Sequence, residues 1–147
     1  MARDQFRFSY SLRVRWAEVD MQGVVFNGHY LTYFDVGFTE YWRATGLDSP
    51  LEQAAAGSEL FARKCTIEYH APARFDDMVT VHVRVVRLGR SSMQVALEIH
   101  RAAPGDTLLV TGELVYVYVD TRERRSIPLP VRWRETLNAF EITAIES

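Results

Sequence analysis

The strongest constraint on the fold is residues 28–45, G-H-Y-L-T-Y-F-D-V-G-F-T-E-Y-W-R-A-T. Tyr30, Leu31, Phe34, Phe38, Tyr41 and Trp42 recur there at spacings of three and four, which gathers them on one face of a helix. Tyr33, Val36 and Gly37 widen that face, so the helix is expected to be covered on more than one side. Asn27 is placed to cap it, its side-chain oxygen accepting from first-turn amides. Gly46 supplies the C-terminal stop and Pro50 follows.

Most of the remaining chain alternates with a period of two. Residues 6–16 put Phe8, Tyr10, Leu12, Val14 and Trp16 on one face and arginines and serines on the other. Residues 60–70 alternate Phe61, Cys65, Ile67 and Tyr69 against Lys64, Thr66, Glu68 and His70, until Ala71-Pro72-Ala73-Arg74 interrupts the ladder. Residues 79–88 set Val79, Val81, Val83 and Val85 against Thr80, His82, Arg84 and Val86. After the turn at 89–92, residues 93–101 set Val95, Leu97 and Ile99 against Gln94, Glu98 and His100. A turn at 103–106 leads to a long strand at 107–120, apolar on both faces and therefore expected inside the sheet. Residues 131–140 read as a short helix burying Trp133, Leu137 and Phe140, and residues 48–58 as a connection with a helical turn.

Strands joined by short turns pair antiparallel, and only the 28–45 helix is long enough to cover such a sheet. The expected fold is α+β: a five-stranded antiparallel sheet wrapped around a long central helix, in one domain spanning residues 1–147. A chain of 147 residues, 48% hydrophobic, can bury a full core, and its net charge of -2 offers no basic field for nucleic acid or acidic lipid. Every basic residue except Lys64 is arginine, the cation suited to bidentate phosphate contacts. The single cysteine, Cys65, permits no intrachain disulfide and is expected as a small core residue. The start M-A-R-D-Q-F-R-F has no apolar signal segment and no run reaches membrane-span length, so a cytoplasmic chain without an integral membrane segment is expected. His70, His82 and His100 lack ligand spacing, and no metal site is expected.

The candidate chemistry lies at the start of the helix. First-turn N–H groups have no intrahelical partner and carry the positive end of the dipole, so they can hold a carbonyl oxygen as it gains charge. Asp20 lies seven residues before Asn27, within D-M-Q-G-V-V-F-N. It can attack such a carbonyl or activate water against it. Asp20 can equally be a turn residue ahead of Gly23, and from local sequence both readings stand.

Residues 15–30, R-W-A-E-V-D-M-Q-G-V-V-F-N-G-H-Y, together with Thr39-Glu40 and residues 68–77, E-Y-H-A-P-A-R-F-D-D, carry a family likeness. Over about residues 6–129 the chain resembles the 4-hydroxybenzoyl-CoA thioesterase family of the hotdog fold, especially its Tol-Pal-associated acyl-CoA thioesterase branch. The resemblance implies that Asp20 is the acid at the thioester, as nucleophile or general base. It implies that the Asn27 backbone N–H supplies the oxyanion contact, with Gly28 and His29 in the same turn. Arg87, Arg90, Ser91 and Ser92 match the turn that binds coenzyme A phosphates. An acyl-CoA substrate and a homodimer or homotetramer with the site between subunits are implied. No separate cofactor is needed, coenzyme A being part of the substrate.

Two other readings start from the same residues. A 3-hydroxyacyl thioester dehydratase would use His29 and Glu40, although the proline-glycine pair that follows the histidine in those enzymes is replaced here by Tyr30-Leu31. Glu40 otherwise reads as a helix-end contact or an interface salt bridge. A non-catalytic acyl-CoA or acyl-carrier binding module is the third.

Overall fold

A computed structural model describes residues 3–102 and 105–147; Ala103 and Pro104, half of the expected turn, lie outside the described residues. The elements are β1 (Phe8–Arg13), α1 (His29–Thr45), α2 (Pro50–Ala55), β2 (Ser58–Tyr69), β3 (Met78–Leu88), β4 (Ser92–Arg101), β5 (Thr107–Asp120), β6 (Arg125–Ser126) and α3 (Val131–Phe140). The strands form one antiparallel sheet in the order β1-β3-β4-β5-β2, with the two-residue β6 on β5. The meander β3-β4-β5 follows from its short turns. β2 does not join its sequence neighbour β3; it crosses to the far side and pairs with β5 along Ser58↔Asp120 to Tyr69↔Val110. That leaves β1 and β2 as the edges and β5 inside, as its two-sided apolar pattern implies.

The sheet wraps α1 because α1 is narrow where it touches. A Cβ on Gly37 would come within 2.5 Å of Val81 and 3.3 Å of Val83. Gly112 on β5 makes the matching space for the Phe34 ring, which is wholly buried. A Cβ there would overlap that ring and lie 2.9 Å from the Thr66 carbonyl oxygen on the neighbouring strand. Neither neighbour can yield without moving the helix or the ladder. Gly112→Val is therefore expected to cost about 3 kcal/mol, lowering the thermal midpoint by about 10 °C in a calorimetric scan.

Several sequence expectations change. α1 starts at His29, with Gly28 at the cap position and no side-chain cap bond. The Asn27 side chain does not cap, because the chain closes the turn with its own backbone: His29 N–H donates to the Phe26 carbonyl (2.9 Å) and Tyr30 N–H to that of Asn27 (3.4 Å). Gly46 ends the helix as expected, at φ 74°. β1 stops at Arg13, since Val14 N–H turns to the Asp77 carbonyl (2.8 Å). Trp16 consequently leaves the buried face for a short 3-10 turn and is 73% exposed. Cys65 is exposed, not core, because β2 is an edge and nothing in one chain covers its middle.

The polar face of β3 and β4 is covered as well. Phe6 packs on His82 (5.7 Å between rings), and His82 lies edge-on to His100 (5.0 Å). Glu98 stands opposite His82 in the ladder and bonds His100 Nε2 (3.0 Å), while Asp106 lies 3.5 Å from His100 Nδ1. Burial, then His100 and Arg3, push the His82 imidazole down to about 4. In the unfolded chain His82 takes its proton near 6.5, so unfolding below that pH takes up a proton and stability falls as pH drops from about 6.5 to 4. His82→Gln is expected to lose less of its thermal midpoint than the wild type over that window, which parallel scans at both pH values measure.

Candidate active site

The site is built on a hairpin of residues 18–26. Phe26 N–H donates to the Glu18 carbonyl (3.0 Å), Val19 and Val25 form an antiparallel bridge, and Asp20 N–H donates to the Val24 carbonyl (2.9 Å). The turn closes through Gly23 N–H to the Asp20 carbonyl (2.9 Å), with Gly23 at φ 77°, a conformation that glycine adopts without strain. Asp20 Oδ1 accepts from Gln22 N–H (2.8 Å), while Oδ2 has no hydrogen bond among the described residues. Asp20 is thus a turn residue through one oxygen, and its other oxygen is unspent among the described residues.

The second sequence motif is the platform for this hairpin. Val25 N–H donates to the Ala73 carbonyl (2.9 Å), and Val24 bridges to Arg74. Residues 72–77 are tied down in turn. Asp77 Oδ2 accepts from Arg74 N–H (2.9 Å) and Arg101 Nε (3.0 Å), and Arg101 also reaches the Pro72 carbonyl (2.6 Å). Ala73 N–H donates to the buried Tyr30 hydroxyl (3.0 Å), which links the platform to α1.

At the mouth of α1 the His29 N–H is already engaged by the Phe26 carbonyl (2.9 Å). Among the described residues Asn27 and Gly28 make no hydrogen bond through their own N–H groups. A cleft of about 270 Å³ opens here, lined by Val24, Asn27, Tyr30, Tyr69, His70 and Pro72. The Tyr69 hydroxyl donates to the Asn27 carbonyl (3.2 Å), clamping the peptide beside the free amides. Alternation along 60–70 marks Tyr69 as a strand residue, and nothing local signals this contact. The His29 ring sits edge-on to Phe26 (5.9 Å). Glu40 is paired with Arg43 one turn on; it lies about 16 Å along the helix axis from His29, so one chain does not bring the two together.

A larger cavity of about 530 Å³ lies between the C-terminal half of α1, α2 and the start of β2. Phe38, Trp42, Leu47, Leu60 and Tyr116 line it, with Asp35 and Thr39 from α1. Asp20 lines neither cavity. The β3–β4 turn is rigid: Gly89 N–H donates to the Ser92 carbonyl, Leu129 N–H to that of Arg90 and Tyr118 N–H to that of Ser91, each at 2.8 Å. Arg134 from α3 bonds the Gly89 and Arg90 carbonyls. Arg87 and Arg90 are exposed, and Ser91 and Ser92 half-buried. This turn stands at the opposite end of β3 from the Asp20 hairpin, about 33 Å away along the strand, so a single chain does not unite the phosphate candidates with Asp20. Among the described residues no group of three His, Cys, Asp or Glu side chains is placed to hold a metal ion, and no helix is long and apolar enough to cross a membrane.

An antiparallel five-stranded sheet curled round one helix, whose N-terminus opens beside an acid-bearing hairpin, defines a hotdog-fold domain. The family model described as Thioesterase superfamily matches residues 22–108. The acyl-CoA thioester hydrolase YbgC of Escherichia coli O6:H1 is 31% identical over 126 residues, covering 84% of this chain and 90% of that protein. The chain belongs to the thioesterase superfamily and is a thioester hydrolase. Among solved structures, the PA5185 protein of Pseudomonas aeruginosa is 27% identical, with a TM-score of 0.82 over 97% of this chain and 96% of that one. A 1,4-dihydroxy-2-naphthoyl-CoA thioesterase from Synechocystis superposes with a TM-score of 0.82 over 88% of this chain and 94% of that one. At 24% identity it speaks for the fold alone.

Proposed function

We propose that the protein hydrolyses acyl-CoA thioesters with Asp20 as nucleophile or general base and the Asn27 N–H as oxyanion donor. The carrying observation is that one hairpin carries an unspent carboxylate oxygen, Asp20 Oδ2, on its first limb and leads from its second limb straight into the unspent amides of Asn27 and Gly28. The carboxylate attacks the thioester carbon directly, or takes a proton from the water that does. Charge builds on the carbonyl oxygen, where a fixed N–H donor contributes about 10²–10³ in rate. The coenzyme A sulfur then leaves as thiolate; on the direct route water next cleaves the Asp20 acyl anhydride, releasing the free acid and restoring the carboxylate. A thiol has a pKa near 8.5, so departure needs no strong acid, and the scheme asks nothing of His29.

The remaining parts come from a second copy. β2 is an open edge whose middle residues are exposed, including Phe61 and Cys65. Such an edge invites pairing, and a two-fold axis makes β2 meet its own copy antiparallel. The Tyr69 end of one strand then faces the Ser58–Leu60 end of the other. The Tyr69 end carries the Asn27 cleft, and the Leu60 end carries the 530 Å³ cavity. The β3–β4 turn is at that same Leu60 end, through Ser92↔Val117↔Phe61. A dimer therefore sets Asp20 and Asn27 of one subunit against the 530 Å³ cavity, whose Phe38, Trp42, Leu47 and Leu60 wall offers an acyl chain apolar contact, and the Arg87, Arg90, Ser91 and Ser92 turn of its partner. Pairing two such dimers would give the homotetramer.

A panel of acyl-CoA thioesters with colorimetric thiol detection, run on wild type and Asp20→Ala, tests the proposal. Asp20-dependent thiol release supports it. Hydration of crotonyl-CoA without thiol release would assign a dehydratase instead, and binding without turnover on every chain would assign a binding module.

A further inference from the structure

We propose that Glu18, held by Tyr33 and Arg15, is the positioning residue that sets the Asp20 limb and the Asn27 limb of the hairpin relative to each other. The inference rests on the proposed reading of Asp20 and Asn27. Glu18 is 5% exposed although it is charged and ends the short 3-10 turn Trp16–Glu18. Burying a carboxylate is unfavourable unless its lone pairs are matched, and here they are. Oε1 accepts from Arg15 N–H (2.8 Å) and from the Tyr33 hydroxyl (2.8 Å); Oε2 accepts from Arg15 Nε (3.0 Å) and a terminal guanidinium nitrogen (2.7 Å). Burial pushes the carboxyl up, but these donors outweigh it and hold it below the usual range, so it is ionised at neutral pH.

The placement gives this carboxylate its leverage. Tyr33 is fully buried in the first turns of α1, one turn beyond Tyr30. Through its hydroxyl, the rigid helix grips Glu18 from across 15 residues of chain. The Glu18 main-chain carbonyl in turn receives the N–H of Phe26, the residue immediately before Asn27. Two residues after Glu18 comes Asp20. One residue thus touches the helix with its side chain and the Asn27 limb with its backbone, and leads directly into Asp20. Arg15 completes the clasp from the solvent side, its own side chain 76% exposed. A displacement of about 1 Å in such a frame is enough to cost one to two orders of magnitude in rate.

The test uses Tyr33→Phe, which keeps the ring and removes only the donor, with Glu18→Gln and the double variant. Tyr33→Phe is expected to lower kcat about tenfold with KM within twofold of wild type, and to speed amide exchange at Phe26 about tenfold by NMR. Because Tyr33 acts through Glu18, the double variant should be no slower than Glu18→Gln alone. Wild-type kcat and Phe26 exchange in Tyr33→Phe would overturn the assignment. So would losses in the double variant that multiply, or a rise in KM that matches the fall in kcat. If wild type shows no Asp20-dependent thiol release, the proposed activity fails on its own terms and Phe26 exchange alone decides the positioning role.

Discussion

Asp20→Asn is expected to lower kcat for thioester hydrolysis about a thousandfold while leaving the fold intact. The two effects separate because the two carboxylate oxygens have different tasks. Oδ1 accepts from Gln22 N–H at 2.8 Å, and the asparagine carbonyl can accept in the same place, so the turn that carries the residue survives. Oδ2 becomes an amide nitrogen, which is neither a nucleophile nor a base. Removing a positioned acid or base typically costs 10²–10⁴ in rate. The thermal midpoint should stay within about 2 °C of wild type, because the residue is half-exposed and its structural bond is kept. KM should change little, since neither cavity is lined by Asp20. Steady-state kinetics beside a thermal scan read all three. A variant keeping more than a tenth of wild-type kcat would remove Asp20 from the chemistry and leave it a turn residue.

How far the fold and site can be read from sequence depends on how local the responsible forces are. α1 was legible because six apolar residues recur within 13 positions, and α3 has the expected bounds of 131–140 because Pro130 opens it and Trp133 and Leu137 anchor one face. The β3-β4-β5 meander followed from turns that each span a few residues. β2 was legible as a strand at 60–70, but its place in the sheet was not. Its pairing with β5 depends on contacts some 50 residues apart, so its edge position, and with it the exposure of Cys65, has no local signature. The helix opening was legible in outline only. Asn27 has the right chemistry for a cap, yet Phe26 and Asn27 close the turn through their own carbonyls. Glu18 is the instructive case: it lies beyond the alternating stretch of residues 6–16, and its burial is decided by Tyr33 and Arg15 together. The likeness of residues 68–77 to a known motif pointed to function, but within one chain that segment works as the platform under the hairpin.

Cys65→Glu is expected to convert an active dimer into an inactive monomer that is still folded. Cys65 lies mid-way along β2 and is exposed in the single chain, so a carboxylate there remains solvated when the chain stands alone. In the proposed dimer the middle of β2 lies near the two-fold axis, which brings each new carboxylate towards its own copy. Like charges placed opposite one another in a ladder are destabilising, and removing them from water adds a larger penalty. Light scattering on a sizing column should report about 17 kDa for the variant, matching the 16.9 kDa chain, against about twice that or a higher multiple for wild type. Circular dichroism should be unchanged, because β2 keeps its ladder to β5 on the other side. Activity should fall by at least a hundredfold, since a lone chain holds Asp20 and Asn27 at one end of β2 and the acyl cavity and arginine turn at the other. Adding Asp20→Asn to the same subunit should then change little, the chemistry having already lost its substrate. A wild-type chain that is monomeric and active, or a monomeric Cys65→Glu with full turnover, would place the whole site within one subunit and break the two-fold construction.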